Sequence, residues 1–351
     1  MRVLQEGGAQ VNHRLAVFIV ASTLFFVPVA GGHSAEVTGA GSTFVYPILE
    51  KWSTAFTANT GNTIKYQSIG SGGGITQIRA ATVDFGATDM PVKSDELAKL
   101  GMGQFPLVIG GVIPIVNIDG VQSGRIRFTG ALLADIFLGK LKKWNDPAIK
   151  AINPELTLPN AGINVVHRLD GSGTTFNWTN YLSKESPEWR DKVGEGTTVE
   201  WPVGIGGKGN DGVAVYVSQS KNSIGYVEYA YGVRYKMPFG LVQNRAGRFV
   251  TPGAESFRAA AESADWAGAK DFYLVMTDAG GEGAYPVTAT SFILMYKKPR
   301  DMNRTRVALE FFKWALERGQ DQARELDYVP LPPSVVMQIE AYWRENFKEG
   351  M

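Results

Sequence analysis

The sequence has 351 residues but no cysteine and only three histidines. The lack of cysteine excludes disulfides, a thiol nucleophile and a zinc site with cysteine ligands. Beyond residue 35 the only histidine is His167. A metal site built from several histidines is therefore excluded there, and a serine–histidine–aspartate triad would have a single candidate base.

The sequence also lacks a strong charge of either sign. Its formal net charge is +1 at pH 7, and no block of lysine or arginine is present. This balance gives no indication of nucleic-acid binding. Apolar residues make up 44% of the chain and charged residues 20%, which is typical of a globular protein long enough for two domains. Recognition of an anion would have to come from a local arrangement.

Long apolar runs are absent as well. The run at residues 15–30 follows Arg14 and contains a proline, and it is shorter than the roughly 18 residues expected of a membrane span. Together with the small residues that follow, it predicts a signal peptide over residues 1–35, cleaved after Ala35 or alternatively after Gly32. A single membrane anchor is the other interpretation. Removal of residues 1–35 would leave a formally neutral chain.

What the sequence does contain is a repeated strand–bend–helix pattern. Bends rich in Gly, Ser, Thr and Asp occur in "GAGSTF" (39–44), "GSGGG" (70–74), "DFGATD" (84–89) and "RLDGSGTTF" (168–176). Apolar residues at helical spacing follow the first bend, so we expect a helix capped by Ser42 or Thr43. Alternating strands and helices predict an α/β fold with a largely parallel sheet and ligands at the carboxyl ends of its strands.

Other segments suggest how the chain is organised. The separation of the fourth bend from the others predicts a second lobe. The β-rich segments 105–118 and 284–299 are candidates for crossings between lobes. The C-terminal part is expected to be helical, with two buried stripes. The stripes consist of Ala308, Phe311, Phe312 and Ala315, and of Val336, Ile339 and Trp343.

The fourth bend contains the residues best suited to bind an anion. Arg168 interrupts an apolar strand and stands two residues before Asp170. The two could form only an ion pair, or Asp170 could hold the guanidinium so that it presents a charged fork to an oxyanion. His167 should point to the opposite face of the strand and is interpreted as structural. A helix beginning just after the bend would direct free N–H groups at the same place.

Asp89 is an acidic residue at the end of the third bend. It could serve as a turn or cap residue. Alternatively, it could accept a proton from an anion that still carries one, as hydrogen phosphate does and sulfate at neutral pH does not. A buried acceptor facing another acceptor costs about 1–3 kcal/mol, so such a residue would discriminate between the two anions.

Two glycine-rich segments remain open to simpler interpretations. The run 70–74 could be a flexible turn or a nest of N–H groups around an anion. Segment 204–212, "GIGGKGNDG", resembles a nucleotide loop, but Gly209 follows Lys208 where serine or threonine is required. We interpret it as a loop or lobe-surface element.

Taken in order, the motifs "TGAGSTF", "IGSGGG", "VDFGATD", "FLGKLKKWND", "RLDGSGTTF", "WPVGIGGKGNDGV" and "IGYVEYAY" resemble the periplasmic phosphate-binding proteins of ABC-type phosphate importers. The resemblance covers essentially the whole chain after residue 35. It implies a two-lobed periplasmic binding protein fold of type II, with a two-crossover hinge and the ligand in the interlobe cleft. Lobe I would comprise residues 36–108 and 285–351, and lobe II residues 109–284.

The resemblance also implies a set of phosphate ligands. Asp170 would orient the arginine. Two departures from the family pattern are that Gly72 offers no hydroxyl and that "FVYP" follows Thr43 where a proline-rich stretch is common. The implied ligands are Thr43 and Phe44 through backbone N–H groups, Ser71, Asp89, Arg168, Ser172, Gly173 and Thr174.

The function implied is high-affinity binding of inorganic phosphate in the periplasm and its delivery to the permease subunits of an ABC transporter with a cytoplasmic ATPase. The protein would be a monomer in solution without catalytic residues, cofactor, metal or nucleic-acid partner. Three alternatives differ in class: a receptor for another oxyanion such as sulfate or molybdate, a secreted phosphohydrolase using Ser172 or Thr174 as nucleophile, and an adhesion protein.

Overall fold

The computed structural model describes residues 7–8 and 34–347. The predicted signal peptide, residues 1–35, lies almost entirely outside these residues. No helix in the described part of the chain combines the length and the apolar character needed to cross a membrane.

The described residues alternate between strands and helices through most of their length, as the sequence pattern predicts. The strands are β1 (Glu36–Gly41), β2 (Thr63–Ser68), β3 (Phe85–Thr88), β4 (Met102–Asn117), β5 (Arg127–Phe128), β6 (Asn164–Arg168), β7 (Ile205–Gly207), β8 (Ser223–Glu228), β9 (Leu241–Gln243), β10 (Phe249–Val250) and β11 (Thr288–Tyr296). The helices are α1 (Tyr46–Thr60), α2 (Ser71–Arg79), α3 (Ser94–Leu100), α4 (Gly130–Phe137), α5 (Pro147–Ile152), α6 (Gly173–Glu185), α7 (Pro187–Lys192), α8 (Gly209–Gln219), α9 (Tyr229–Arg234), α10 (Ala254–Glu262), α11 (Met302–Arg318), α12 (Gln320–Arg324) and α13 (Pro333–Asn346), with a short 3₁₀ turn at Lys270–Phe272.

The main sheet has eight strands in the order β2-β1-β3-β11-β4-β8-β6-β7. The strands at both ends of this order pair in parallel: β2, β1 and β3 at one end, and β8, β6 and β7 at the other. The central strands β11 and β4 run antiparallel to their neighbours. The expectation of a largely parallel sheet is therefore right for the flanks and wrong for the centre. Both central strands are buried and apolar, and such runs do not reveal strand direction.

The first helix follows its predicted face but not its predicted cap. Ile48, Leu49, Trp52 and Phe56 are buried, as their helical spacing indicates. The N-cap, however, is Val45, whose side chain makes no capping hydrogen bond. The hydroxyls of the preceding Ser and Thr are used elsewhere, as described below, and the expected cap was wrong for that reason.

The C-terminal helices complete the core. In α11, Ala308, Phe311, Phe312 and Ala315 are buried, and Phe312 contacts Phe85 of β3 edge to face with 5.1 Å between ring centroids. In α13, Ile339 and Trp343 are buried and Val336 is partly buried. Both predicted stripes therefore pack into the protein. With these faces covered, the bends after β1, β3 and β6 are left to approach one another.

Candidate functional site

The guanidinium of Arg168 is held at the carboxyl end of β6. The side chain is buried, with a residue exposure of 3%, and its Nε donates to Asp170 Oδ1 at 2.9 Å while a terminal nitrogen donates to Asp170 Oδ2. Nη1 also donates to Thr174 Oγ1 at 3.3 Å. Burial by itself would raise the pKa of Asp170, but hydrogen bonding to Arg168 and its charge bring that pKa below the ordinary value. The pairing is a two-point contact that fixes the plane of the guanidinium.

Asp89 is the second charged residue of the site, just beyond β3. It is 1% exposed. Ser42 Oγ lies 2.6 Å from both carboxylate oxygens, and Ser291 Oγ donates to Oδ1 at 2.6 Å. Burial raises its pKa to about 6, against the opposing effect of the hydroxyls and of Arg168. Asp89 is thus a buried acceptor, prepared by surrounding hydroxyls and lying in the field of an arginine.

The second and fourth bends are in direct contact through Ser71 and Gly173. Ser71 Oγ accepts from Gly173 N at 3.1 Å and from Asp89 N at 3.2 Å. A Cβ on Gly173 would lie 2.6 Å from both Asp89 Oδ2 and Ser71 Oγ. Only glycine permits this approach, because real Cβ atoms essentially never come that close.

The glycines of segment 70–74 also allow the backbones of the second and fourth bends to come close together. Gly72 N donates to Gly171 O at 2.9 Å and Gly74 N donates to Gly70 O at 3.0 Å. Gly70 adopts φ +86°, and a Cβ there would lie 2.3 Å from Asp170 Oδ2. The N–H groups of Gly72 and Gly74 are therefore paired within the protein, so these two do not belong to the suggested nest. The glycines let two bends touch.

Helix α6 begins at the site, as expected of the fourth bend. Ser172 is its N-cap and accepts from Thr175 N at 3.0 Å. Ser172 and Thr174 are both fully buried. The positive end of the helix dipole therefore lies beside Arg168, and the two together favour an anion.

The peptide unit between Thr43 and Phe44 is fixed by a hydrogen bond to its carbonyl oxygen. Tyr231 Oη donates to Thr43 O at 2.6 Å. In a trans peptide the N–H points away from the C=O, so Phe44 N–H faces the opposite side, where it donates to Ser42 Oγ at 2.9 Å. Tyr328 Oη donates to the next carbonyl, Phe44 O, at 2.6 Å. Two tyrosines thus fix consecutive peptide units at the start of α1.

Several residues of this cluster were not predicted from the sequence. Segment 204–212, interpreted as a loop or surface element, supplies Asn210, which is fully buried and donates to Thr43 Oγ1 at 2.7 Å. That interpretation was wrong for Asn210. Its signal was present in the sequence: glycines on either side and a polar residue at a helix start, as in the other bends. Ser291 and Tyr231 gave no comparable signal, since they lie within an apolar strand and a tyrosine-rich segment.

His167 lies away from these groups. Its ring stacks on Trp201 with centroids 4.8 Å apart, and burial lowers its pKa. The structural interpretation of His167 agrees with this contact. Among residues 7–8 and 34–347, no three His, Cys, Asp or Glu side chains come together in a way that could hold a metal ion.

All residues that the sequence analysis assigned to the site come together in the folded chain. They are Thr43, Phe44, Ser71, Asp89, Arg168, Asp170, Ser172, Gly173 and Thr174. Hydroxyl and N–H donors predominate, with one guanidinium and one acceptor carboxylate. A cavity of about 250 Å³ lined in part by Thr43, Tyr46, Asp170 and Gly209 borders the cluster. The arrangement is suited to a small oxyanion that retains a proton.

Comparisons with known proteins agree in fold and family. Residues 28–318 match the PBP superfamily domain. The chain is 61% identical over 315 residues to the phosphate-binding protein PstS of Xylella fastidiosa strain Temecula1. The aligned region covers 90% of this chain and 86% of that protein. The chain is 52% identical to the phosphate-binding protein PstS of Haemophilus influenzae, covering 93% and 97%.

A solved structure shows the same architecture at low identity. It is an ABC-type phosphate transport receptor from Vibrio cholerae, with a TM-score of 0.55, 17% identity, and coverage of 84% of this chain and 100% of that one. At that identity the likeness establishes the fold.

Proposed function

The chain belongs to the PBP superfamily and, within it, to the PstS phosphate-binding proteins, and from this premise we propose that it binds inorganic phosphate and presents it to an ABC-type phosphate importer. The observation that supports this most strongly is that one buried cation, Arg168, and one buried carboxylate, Asp89, lie in the same cluster of hydroxyl groups. The protein is a receptor rather than an enzyme, and the ligand leaves it chemically unchanged.

The phosphate ligands we propose come from all four bends. Arg168, held by Asp170, supplies the positive charge. Hydroxyl and N–H groups donate to the phosphate oxygens, and fixed dipoles replace the water that phosphate loses on binding. The ligands are Thr43 and Phe44 through backbone N–H groups, Ser71, Asp89, Arg168, Ser172, Gly173 and Thr174. The N–H groups of Phe44 and Gly173 donate to serine hydroxyls of the site in this structure, and each would exchange that hydroxyl for a phosphate oxygen on binding.

Asp89 is proposed as the source of selectivity. Inorganic phosphate carries at least one proton at neutral pH and can donate it to the carboxylate, whereas sulfate has none. Sulfate would place an acceptor against a buried acceptor, at a cost of about 1–3 kcal/mol or more because the groups are charged. The raised pKa of about 6 leaves Asp89 ionised, and therefore an acceptor, at neutral pH.

According to the lobe division predicted from the sequence, both lobes would contribute ligands. Residues 36–108 and 285–351 would contribute Thr43, Ser71 and Asp89, and residues 109–284 would contribute Arg168 and Thr174. A ligand that contacts both lobes stabilises the closed form over the open form. The closed monomer would then dock on the permease subunits, which the cytoplasmic ATPase drives.

We further propose that the protein acts in the periplasm. The apolar segment 15–30, preceded by Arg14 and followed by small residues, supports export by a signal peptide covering residues 1–35.

Calorimetric titration of protein stripped of anion, first with phosphate and then with sulfate, tests this proposal. We expect micromolar or tighter binding of phosphate and no heat from sulfate. The Asp89→Asn variant should bind phosphate more weakly and admit sulfate. Asp84→Asn is the matched control, because Asp84 accepts from Thr38 N and Oγ1 away from the site. Folded wild-type protein that binds no phosphate would refute the function, and Asp89→Asn protein that still excludes sulfate would refute the role of Asp89.

A further inference from the structure

We propose that Asn210 sets the direction of two hydroxyl protons in the binding site, so that Thr43 and Thr174 act as donors to the bound anion. The inference rests on the proposed function and adds a residue that positions ligands without being one. Asn210 is fully buried at the start of α8. It reaches the first bend and the fourth bend together.

The orientation of the Asn210 amide follows from its backbone partner. Its Oδ1 accepts from Glu228 N at 2.9 Å. A backbone N–H can only donate, so the atom that faces it must be the amide oxygen. The amide NH₂ therefore points the other way, where Nδ2 lies 2.7 Å from Thr43 Oγ1 and 3.3 Å from Thr174 Oγ1. Both threonine oxygens accept a hydrogen bond from Asn210.

Each threonine oxygen has a second donor. Thr43 Oγ1 also accepts from Asn210 N at 3.4 Å, and Thr174 Oγ1 accepts from Arg168 Nη1 at 3.3 Å. A hydroxyl has two acceptor positions and one proton. With both acceptor positions occupied, the proton of each threonine is left to point at a further acceptor. In a site that binds an oxyanion, that acceptor is the anion.

This arrangement determines donors and acceptors before the ligand arrives. A free hydroxyl could turn a lone pair toward the anion, and binding would then have to reorient it. Here neutral donors are aimed in advance, which lowers the reorganisation required on binding. Asp89 is the opposite case, a group that can only accept while ionised. Asn210 thus complements Asp89: it makes donors of hydroxyls that could otherwise accept.

Reversing the polarity of this one side chain tests the inference. Asn210→Asp keeps the shape and the contact with Glu228 N but replaces the NH₂ by an acceptor, so both threonine protons should turn toward it. Asn210→Ala removes the amide and leaves the hydroxyls free to rotate. Asn153→Asp is the matched control. Asn153 is also buried, and its Oδ1 accepts from Arg127 N at 2.7 Å.

Phosphate affinity is measured by titration calorimetry for the wild type and the three variants, with ligand-free unfolding recorded for each. Loss of two donor bonds to a charged ligand, together with like-charge repulsion, predicts a reduction of about 100-fold or more for Asn210→Asp near pH 8. Asn210→Ala should lose less, and Asn153→Asp should bind like the wild type.

The pH dependence separates polarity from packing. Below the raised pKa of the introduced carboxylate it becomes protonated and can donate again, so the deficit of Asn210→Asp relative to the wild type should shrink near pH 5. A loss in Asn210→Ala equal to or greater than that in Asn210→Asp, or a deficit that does not change with pH, would overturn the inference. Wild-type protein that binds no phosphate would overturn the proposed function and this inference with it, whereas a wild type that binds together with an unaffected Asn210→Asp would overturn this inference alone.

Discussion

The buried carboxylate of Asp89 should destabilise the ligand-free protein at neutral pH. Burial raises its pKa from 3.8 to about 6. Between these two values the folded state binds more protons than the unfolded state, so the free energy of unfolding falls as the pH rises through this window. At 1.36 kcal/mol for each pH unit, the full effect above pH 6 is about 3 kcal/mol.

Replacing Asp89 by Asn removes this titration. At pH 7.5 we expect the ligand-free variant to be more stable than the wild type by up to about 3 kcal/mol, reduced by whatever the amide loses in hydrogen bonding to the serine hydroxyls. Below about pH 3 the wild-type carboxyl is protonated in both states, so this gain should disappear and only the hydrogen bonding that the amide loses should remain. The same substitution that weakens phosphate binding would thus stabilise the fold.

The assay is urea unfolding of both proteins at a series of pH values, after bound anion has been removed by unfolding and dialysis. Removal is essential because ligand bound to the folded state raises apparent stability. Asp84→Asn serves again as the control for an Asp-to-Asn change outside the site. If the difference between Asp89→Asn and wild type did not vary with pH, the assignment of a raised pKa to Asp89 would be wrong.

Three other substitutions have definite expected outcomes. Asp170→Asn should destabilise the ligand-free protein by about 1–3 kcal/mol at neutral pH. Because the pKa of Asp170 is lowered on folding, this loss of stability should fade as the pH falls through that pKa. Urea unfolding at each pH checks this pH dependence, which is opposite in sign to that of Asp89→Asn. Gly173→Ala, with a Cβ 2.6 Å from Ser71 Oγ, should reduce phosphate affinity by about 10-fold or more, and a titration showing wild-type affinity would contradict the close contact. Glu228→Gln should lower stability at pH 7.5 by no more than about 1 kcal/mol. Burial raises the pKa of Glu228 well above normal, which favours a neutral carboxyl that an amide can replace, at the cost of the hydrogen bond that Oε2 accepts from Ala230 N. A large loss on denaturant unfolding would mean that Glu228 is ionised.

The parts of the site that could be predicted were those whose residue types had few other uses. Arg168 in an apolar strand and Asp89 at a strand end are costly to bury without a partner, and glycine at 70 and 173 is required where backbones touch. Ser291 could not be predicted in this way. It lies in an apolar strand, and only the pairing of β11 between β3 and β4 brings it to Asp89.

The errors in the fold have a related cause. Strand direction in the centre of the sheet depends on long-range pairing, which local periodicity does not encode. The cap expected at Ser42 or Thr43 was wrong because both hydroxyls bind tertiary partners, Asp89 and Asn210, and such contacts outweigh a local preference worth about 1 kcal/mol.

The position of β11 has a consequence for the order in which the protein can mature. Asp89 leaves the ribosome 202 residues before Ser291, one of the serines that donate to it, and until β11 is made, β3 lacks its neighbour on one side. An N-terminal fragment ending before residue 288 would contain the arginine and both proposed threonine ligands, yet it would lack Ser291 and the strand that pairs with β3 next to Asp89. Contacts between residues so distant in the chain form late and slowly. Completion of the site is therefore delayed until nearly the whole polypeptide is present, which suits a chain that we propose is exported before it works.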